Sequence, residues 1–400
     1  MATRTTEAGR PDVAIVGGGI VGASAAAFLS AAGARVRLYE RSAIAAGASG
    51  RNSGVVQQPF DAVLAGLYRV SLEAYRELAA EEPEFALPEE PAGLLYVSHD
   101  VELAREAAAA WSGTWPASRP EVLAGAELRH LEPALASDLA ACRLAIGFPV
   151  APASATHAFA RLADRRGTVT VRAEARPAVE GGRVVGVHVE GRIEPAGAVL
   201  VAAGPWSPEL VDLSGSWRPI MPMWGVVASL ALDAPPRHVL ESADIVIEPD
   251  SIEATAVPPA AEPDDAQLPP AEPSDGGVDF SLVPAAGSSA LGSTFLRSEP
   301  DPEAWLPALR RVGARYVPGV ASATLIGIRH CARPVSLDGR PLVGNVDGID
   351  GLFIAAGHGP WGISTGPGTA RLVSDLILGR IAQADLPDAL APGRFGVRPA

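Results

Sequence analysis

A run of glycines near the start of the chain places the strongest constraint on its fold. The run, Gly17-Gly18-Gly19-Ile20-Val21-Gly22, follows a short apolar segment at 12–16 and lies in a stretch that carries no charge up to residue 34. In such a run the first glycine permits a tight turn, the third lets a ligand approach the backbone, and the last lets a helix pack on a strand. The pattern predicts a strand at 12–16, a helix at 20–32 and a second strand at 36–40, which form one βαβ unit.

The predicted helix begins at a turn that suits a diphosphate. A helix N-terminus offers unpaired N–H groups and the positive end of the helix dipole. Glu40 ends the second predicted strand, about 20 residues after the glycines, where a carboxylate accepts hydrogen bonds from ribose hydroxyls and repels a 2'-phosphate. These features predict a dinucleotide site and disfavour NADP. They do not separate NAD from FAD, and a glycine-rich turn without a ligand is the alternative interpretation.

Composition excludes several kinds of chemistry. All 32 basic residues are arginine, so no lysine is present to form a Schiff base, to bind phosphates in a Walker motif or to activate dioxygen. Of the 46 acidic residues, 11 lie between Arg237 and Arg297, where no arginine occurs, and the rest of the chain is nearly neutral. Because no basic stripe with aromatic residues appears, we expect no nucleic-acid partner.

The two cysteines and the uncharged stretch at 13–34 indicate the cellular compartment in which the protein is expected. Cys142 and Cys331 cannot build a disulfide framework, and no cysteine and histidine cluster has zinc spacing. We therefore expect no metal and a cytoplasmic, reducing environment. The stretch at 13–34 is long enough to resemble a membrane span, but its glycines favour a buried strand, turn and helix, so no membrane span is expected.

A chain of 400 residues exceeds what one hydrophobic core usually supports, which predicts two domains. The larger, cofactor-binding domain is predicted at 1–85, 143–215 and 325–400. The smaller, substrate-binding domain is predicted at 86–142 and 216–324. Within the latter, the acidic, proline-rich tract 248–276 is predicted to be a disordered loop. Further predictions are helices at 64–82, 100–111 and 367–378 and strands at 93–98 and 352–356.

Five segments, in the same order along the chain, resemble the D-amino-acid oxidase family of FAD-dependent oxidoreductases, which includes glycine oxidase, sarcosine oxidase and D-amino-acid dehydrogenases. They are the opening glycine run, Ala48-Ser49-Gly50-Arg51-Asn52-Ser53-Gly54, Ala202-Ala203-Gly204-Pro205-Trp206-Ser207, Arg333-Pro334 with Asp338-Gly339, and Gly357-His358-Gly359. The resemblance implies an α/β protein that binds FAD. Its Rossmann-type, glutathione-reductase-like FAD-binding domain would be assembled from three segments. A second α+β substrate domain would be built on an antiparallel sheet.

The resemblance also implies roles for individual residues around FAD. The loop 49–54 would follow the pyrophosphate and the flavin edge, and the segment 357–363 would offer N–H groups to the flavin pyrimidine ring. In the sarcosine oxidase branch a cysteine at a similar position binds the flavin covalently. We expect non-covalent FAD, with Cys331 as a buried thiol, and a covalent link through Cys331 is the alternative. The cofactor-binding candidates are Gly17, Gly19, Ile20, Val21, Gly22, Glu40, Arg41, Ser49, Arg51, Asn52, Ser53, Gly54, Ala203, Gly204, Trp206, Gly357, Gly359, Gly362 and Ile363.

Arg333 and His358 are the catalytic candidates. In the family, the arginine of this Arg-Pro motif pairs with the substrate carboxylate, which a planar guanidinium binds in a bidentate way. The alternative for Arg333 is an ordinary salt bridge. His358, in a glycine-rich loop, is a candidate to hydrogen-bond the flavin or the substrate.

The pocket departs from the family in two respects. Trp224-Gly225 stands where many relatives have arginine-glycine, and no tyrosine occurs between Tyr96 and Tyr316. We therefore expect an apolar substrate pocket without a second polar anchor. Its candidate lining residues are Trp224, Phe295 and Trp361.

The function implied by the resemblance is oxidation of the C–N bond of a small amine or amino acid, such as glycine, sarcosine or a D-amino acid. Hydride transfer to the flavin would give an imine that water hydrolyses, and dioxygen or a quinone would accept the electrons. The absence of lysine removes one route to fast reaction with dioxygen. Two alternatives are a 2-hydroxy-acid or alcohol dehydrogenase on the same fold and a non-catalytic dinucleotide-binding protein.

Overall fold

Two large β-sheets of different kinds organise the computed structural model, which describes residues 12–243 and 271–396. The helices are α1 Ile20–Ala31, α2 Ala48–Arg51, α3 Ala62–Glu81, α4 Val101–Thr114, α5 Gly125–Leu131, α6 Ser154–Arg165, α7 Ser207–Val211, α8 Pro302–Tyr316 and α9 Gly362–Ile377. The strands are β1 Val13–Val16, β2 Val36–Glu40, β3 Val55–Val56, β4 Leu94–Ser98, β5 Glu121–Ala124, β6 Ala140–Leu144, β7 Phe148–Pro149, β8 Val169–Arg172, β9 Ala175–Glu180, β10 Arg183–Val189, β11 Arg192–Pro195, β12 Ala198–Val201, β13 Ile220–Ala231, β14 Val239–Ser242, β15 Ser281–Ala285, β16 Ser288–Gly292, β17 Thr324–Ser336, β18 Leu342–Asn345 and β19 Leu352–Ala356.

The first sheet is a parallel sheet with one antiparallel edge strand. Its six strands have the order β18-β19-β12-β1-β2-β8, and only β18 runs antiparallel to its neighbour. Helices α1, α3, α6 and α9 cover one face, and the antiparallel sheet of β9, β10 and β11 covers the other. Because both faces are buried, β1 is apolar throughout, as its sequence predicts.

The second sheet is largely antiparallel and forms the core of the other domain. Its eight strands have the order β17-β13-β16-β15-β14-β4-β6-β5, and only β4 and β14 are parallel. Helix α8 packs on one face, and α4 covers part of the other. The prediction of a Rossmann-type domain with a second domain built on an antiparallel sheet is confirmed.

The described strands divide the chain differently from the predicted domain boundaries. The boundary predicted after residue 142 falls inside β6, and the one predicted before residue 325 falls inside β17. Both strands belong to the eight-stranded sheet, and β17 pairs with β13 as far as Ser336. Most of the predicted loop, 248–270, lies outside the described residues, whereas Asp275–Gly277 forms a 3-10 turn.

Helix α9 begins five residues earlier than predicted and contains Pro367. The proline lacks the N–H group that would bond to the carbonyl of Ile363 one turn earlier. The hydroxyl of Tyr75 donates a hydrogen bond to that carbonyl instead, at 2.7 Å. The serine hydroxyl of Ser71 also accepts a hydrogen bond from the N–H of Gly368, at 2.8 Å, so α3 supports α9 where the proline interrupts its bonding.

No helix within 12–243 or 271–396 is both long enough and apolar enough to cross a membrane.

Two helical glycines provide a matched test of the turn between β1 and α1. A Cβ atom at Gly22 would overlap the carbonyl group of Gly17, whereas one at Gly66 in α3 would meet nothing within 4 Å. We expect Gly22→Ala to destabilise the protein by about 1–3 kcal/mol through overpacking. Gly66→Ala should stabilise it by about 0.5–1 kcal/mol, because alanine favours a helix. Thermal unfolding of both variants measures the two shifts, and equal shifts would contradict the close contact at Gly22.

Candidate active site

A cavity of about 1430 Å³ lies between the two sheets. Its wall combines the β1–α1 turn, the loop around α2, the start of α9 and the nearer face of the eight-stranded sheet. Pockets for small ligands usually enclose about 300–1000 Å³. The cavity therefore has room for a dinucleotide and a small substrate together.

The β1–α1 turn is shaped for close approach of a ligand to the backbone. Gly17 has φ of +112°, and a Cβ atom there would overlap the carbonyl of Ala202 at the end of β12. The N–H of Ile20 donates a hydrogen bond to the hydroxyl of Ser49 at 2.9 Å. The first turn of α1 has no acidic side chain, so its positive end is not neutralised locally.

Glu40 and its neighbour Arg41 form the adjoining wall. The carboxylate of Glu40 accepts hydrogen bonds from the N–H groups of Gly18 and Ser42, each at 2.8 Å. It therefore supports the glycine turn while it lines the cavity. The guanidinium of Arg41 lies over the ring of Trp206 at 4.4 Å, which gives this wall a flat cationic surface.

The loop that follows Ser49 is held by its own side chains and by β17. The side chain of Asn52 donates to the carbonyl of Ser49 and accepts from the N–H of Gly54, each at 2.8 Å. From β17, Arg329 donates to the carbonyls of Arg51 and Asn52, at 3.2 and 2.9 Å. The turn, the carboxylate and this rigid loop fit a dinucleotide such as FAD.

Arg333, also on β17, lines the same cavity as the glycine turn. Its guanidinium donates to the carbonyl of Thr294 at 2.7 Å and to the hydroxyl of Ser293. It also lies 4.4 Å over the ring of Phe295. Burial lowers the pKa of Arg333 from its ordinary value, and arginine remains charged even so.

Gly225 provides the space that Arg333 needs. A Cβ atom at Gly225 would overlap the guanidinium of Arg333, so any side chain here would displace it. Asp279 also lines this part of the cavity. Burial raises the pKa of the Asp279 carboxyl, and the charge of Arg333 opposes that rise.

Cys331 lies between Arg329 and Arg333 on the same face of β17, because alternate residues of a strand share a face. Its side chain is buried and lines the cavity. Burial raises the pKa of the Cys331 thiol, and the charges of Arg333, Arg329 and Arg51 oppose this rise. The net effect keeps a thiol, not a thiolate, at neutral pH.

His358 lies in the cavity wall just before α9. Its Nε2 atom is 3.0 Å from the hydroxyl of Thr369, and its backbone pairs with that of Val335. Burial lowers the pKa of His358 to about 4. The imidazole is therefore neutral at physiological pH. Its hydrogen bond to Thr369 and the backbone bridge to Val335 together join the middle of α9 to β17.

Most residues predicted from the sequence line this one cavity, and three do not. Trp224 lies on the opposite face of β13, where it packs with the core below α8, because its neighbour Gly225 faces the cavity. Gly22 is used in packing α1 on β1, and Gly357 is used in packing between β18 and β17. The predicted residues that do line it are Gly17, Gly19, Ile20, Val21, Glu40, Arg41, Ser49, Arg51, Asn52, Ser53, Gly54, Ala203, Gly204, Trp206, Phe295, Arg333, His358, Gly359, Trp361, Gly362 and Ile363.

The cavity also contains polar residues that sequence reasoning missed. Tyr96 and Tyr316, which bound the tyrosine-free segment, both line it, as do Gln57 and Glu241. The sequence analysis did not anticipate these polar side chains in the cavity wall. No sequence pattern marks these residues, because strand pairing brings them together from distant segments. In the ranges 12–243 and 271–396, no three His, Cys, Asp or Glu side chains group as a metal site would require.

The fold and this cavity define a two-domain α/β protein with a dinucleotide cradle that faces an arginine of the second domain. The chain belongs to the DAO family of FAD dependent oxidoreductases, whose family model matches residues 12–376. The resemblance stated from the sequence motifs is thereby confirmed.

Individual relatives are similar at modest identity. The chain is 28% identical to a glycine oxidase of Pseudomonas aeruginosa over 207 residues, which are 50% of this chain and 47% of that protein. It is 30% identical to a D-amino acid dehydrogenase of Cereibacter sphaeroides over 214 residues, which are 52% and 42% of the two chains. The sequence similarity thus spans about half the length of these relatives.

Similarity of fold extends over nearly the whole chain. The crystal structure of glycine oxidase from Bacillus cereus superposes with a TM-score of 0.77 at 23% identity, covering 94% of this chain and 97% of that one. The structure of iminodiacetate oxidase from a Chelativorans species gives the same TM-score and identity, with 95% and 98% covered. At this identity the likeness establishes the fold.

The depressed pKa of His358 predicts a specific loss of stability in acid. An unfolded histidine binds a proton below about pH 6.5, whereas folded His358 binds one only near pH 4. The unfolded state is therefore favoured progressively as pH falls through this window, by about 2 kcal/mol between pH 7.5 and pH 5. Urea unfolding of the wild type and of His358→Gln at both pH values measures this difference. A stability difference between the two proteins that stays constant with pH would contradict a buried neutral imidazole.

Proposed function

We propose that this protein uses FAD to oxidise the C–N bond of a small amine or amino acid. The observation that carries the proposal is the position of Arg333, whose partly buried guanidinium lines the same cavity as the glycine turn at Gly17 and the Ser49 loop. A cationic anchor next to a dinucleotide cradle suits a substrate that bears a carboxylate.

The cofactor-binding residues in this proposal are those of the turn, the loop and the start of α9. The N-terminus of α1, with Gly17 and Gly19, would hold the diphosphate, and Glu40 would accept hydrogen bonds from the ribose. N–H groups at the start of α9 would lie against the flavin. Bound FAD would supply the two-electron acceptor for the reaction.

Arg333 would bind the substrate carboxylate and fix its orientation. Its hydrogen bonds to Thr294 and Ser293 and its contact with Phe295 hold the guanidinium in one position before the substrate arrives. Positioning of this kind lowers the entropic cost of bringing the substrate into a reactive orientation. The amine nitrogen must be unprotonated, because its lone pair forms the C=N bond as hydride leaves the adjacent carbon. Water would then hydrolyse the imine product.

His358 would act by positioning and not as an acid or a base. Its imidazole is neutral, and Thr369 occupies its Nε2 atom. In this proposal the protein contributes orientation and exclusion of water, and no side-chain base is required. Dioxygen or a quinone would accept the electrons.

Non-covalent attachment of FAD is the second part of the proposal. A covalent thioether requires Cys331 to act as a nucleophile, and the thiolate is the nucleophilic form. Burial, which raises the pKa of this thiol, disfavours that form.

Substitution of Arg333 tests the substrate anchor. In Arg333→Met, which keeps length and bulk but removes the charge, the amino acid concentration for half-maximal anaerobic flavin reduction should rise about 10- to 100-fold, the value of a lost charge-assisted pair. Arg333→Lys should lose part of this binding, because an ammonium cannot bind a carboxylate in the same bidentate way. A panel of glycine, sarcosine, D-amino acids and 2-hydroxy acids identifies the substrate class.

The matched control is Arg105→Met, which removes an exposed arginine paired with Glu102 on α4. It should leave the half-saturating concentration unchanged. Equal effects of the two substitutions would contradict the anchor role of Arg333, and flavin bleaching by hydroxy acids alone would contradict C–N oxidation.

Acid precipitation tests the mode of FAD attachment. The yellow colour should pass into the supernatant with the wild type and with Cys331→Ala alike, and the two proteins should retain equal amounts of flavin before precipitation. Colour that stays in the wild-type pellet and leaves the Cys331→Ala pellet would contradict non-covalent binding.

A further inference from the structure

A row of polar side chains crosses the cavity-facing side of the eight-stranded sheet. Tyr96 on β4 stands opposite Glu241 on β14, which stands opposite Ser281 on β15, which stands opposite Gly292 on β16. Residues paired in this way point to the same face of a sheet. A Cβ atom at Gly292 would lie 3.8 Å from the hydroxyl of Ser53, so this face of the sheet is turned toward the loop at 49–54.

Glu241 is an acid without a basic partner among the described residues. Its Oε2 atom accepts a hydrogen bond from the side chain of Gln57 at 3.2 Å. Burial raises the pKa of Glu241 to about 7, and the hydrogen bond from Gln57 opposes that rise. A buried carboxylate is costly unless it is paired, so a cation brought by a ligand would stabilise its charged form.

Gln57 provides a second, independent sign of a missing ligand. Its side chain is 2% exposed, and its Oε1 atom has no hydrogen-bond partner. The backbone N–H of Gln57 donates to the hydroxyl of Ser364 at 2.9 Å, which holds the residue against the start of α9. An N–H donor placed in the cavity would satisfy this carbonyl oxygen.

Tyr96 completes the group. Its phenol is buried, and burial followed by the Glu241 carboxylate raises the pKa of Tyr96 well above its usual value. The phenol therefore remains protonated. It contributes a neutral oxygen that can accept a hydrogen bond next to the carboxylate.

Arg333 and Glu241 occupy opposite ends of the same cavity wall. The guanidinium of Arg333 reaches Thr294, two residues beyond Gly292 on the β16 side. Glu241 lies on β14, two strands away, and two strand spacings amount to about 10 Å. An amino acid held by its carboxylate at Arg333 would need an extended side chain to reach Glu241.

We propose that Glu241, Gln57 and Tyr96 form a subsite for a cationic nitrogen at the far end of the substrate, so that the enzyme acts on amino acids with a basic side chain. This inference rests on the proposed function, in which Arg333 holds the substrate carboxylate, and it specifies the class of substrate. The distal ammonium or guanidinium group donates hydrogen bonds to the carboxylate of Glu241 and to Oε1 of Gln57.

The test compares two substrates that differ at one end only. Racemic lysine and racemic 2-aminoheptanoate have chains of equal length, with a terminal ammonium in one and a methyl group in the other. For the FAD-loaded wild type, half-maximal anaerobic flavin reduction should require at least about 10-fold less lysine than 2-aminoheptanoate, as expected for a charge-assisted hydrogen bond. Equal concentrations would overturn the proposal without any variant.

Variants assign the preference to Glu241. Glu241→Gln, which keeps the shape, should reduce the lysine preference to less than about 2-fold. Glu241→Asp, which keeps the charge, should retain most of it. Glu73→Gln makes the same chemical change at an exposed position on α3 and should leave the ratio unchanged. A preference that persists in Glu241→Gln would overturn the assignment.

Calorimetric titration of the same FAD-loaded proteins separates this inference from the proposed function. Lysine that binds more tightly than 2-aminoheptanoate, with the difference lost in Glu241→Gln, supports the subsite even when neither compound bleaches the flavin. In that case the proposed oxidation fails and the subsite stands. If both compounds reduce the flavin at equal concentrations, the proposed oxidation stands and the subsite at Glu241 fails.

Discussion

The close contact between the β1–α1 turn and the end of β12 is the constraint on which the rest of the site depends. Gly17 and Gly22 have no room for a Cβ atom, because the carbonyls of Ala202 and Gly17 occupy the space. This contact fixes the N-terminus of α1 at the mouth of the cavity. In the proposed mode of FAD binding, this placement directs the N-terminal end of α1 at the diphosphate.

Strand β17 connects the loop next to this turn with the second domain. Arg329 donates a hydrogen bond to the backbone carbonyl of Asn52. Arg333, four residues further, passes over Gly225 and donates to the carbonyl of Thr294, just after β16. One strand thus joins the loop at 49–54 to the cavity wall around Arg333. Both guanidinium groups are partly buried and hydrogen-bonded to backbone carbonyls, which holds the loop at 49–54 and the wall around Arg333 against the same strand.

The cavity wall proposed to bind the substrate contains a cation, Arg333, and an acid, Glu241. Arg333 is a partly buried cation, and Glu241 is a partly buried acid whose pKa is raised to about 7 by its removal from bulk water. Low polarity around both groups strengthens their interaction with a complementary ligand and penalises a ligand that leaves either one unpaired.

Local sequence patterns determined most of the cofactor domain. One βαβ unit contains the apolar strand β1, the glycine run and the carboxylate of Glu40 at characteristic spacings. Spacings within so short a segment can be recognised directly in the sequence. The motif at Arg333 was also readable, because it lies in one short segment. The helix α9 was predicted too short, since the bond that Tyr75 supplies across from α3 is invisible in the local pattern around Pro367.

Only the tertiary structure determined the substrate wall. Tyr96 meets Glu241 because β14 pairs in parallel with β4, and Gln57, 184 residues before Glu241, reaches the same carboxylate through a side-chain hydrogen bond. Alternation along β13 could be read from the sequence, but the pairing of β13 with β17 decided that Gly225 faces the cavity and Trp224 does not. Side-chain neighbours across a sheet depend on strand order and register, and these are set by long-range hydrogen bonds that no local segment encodes.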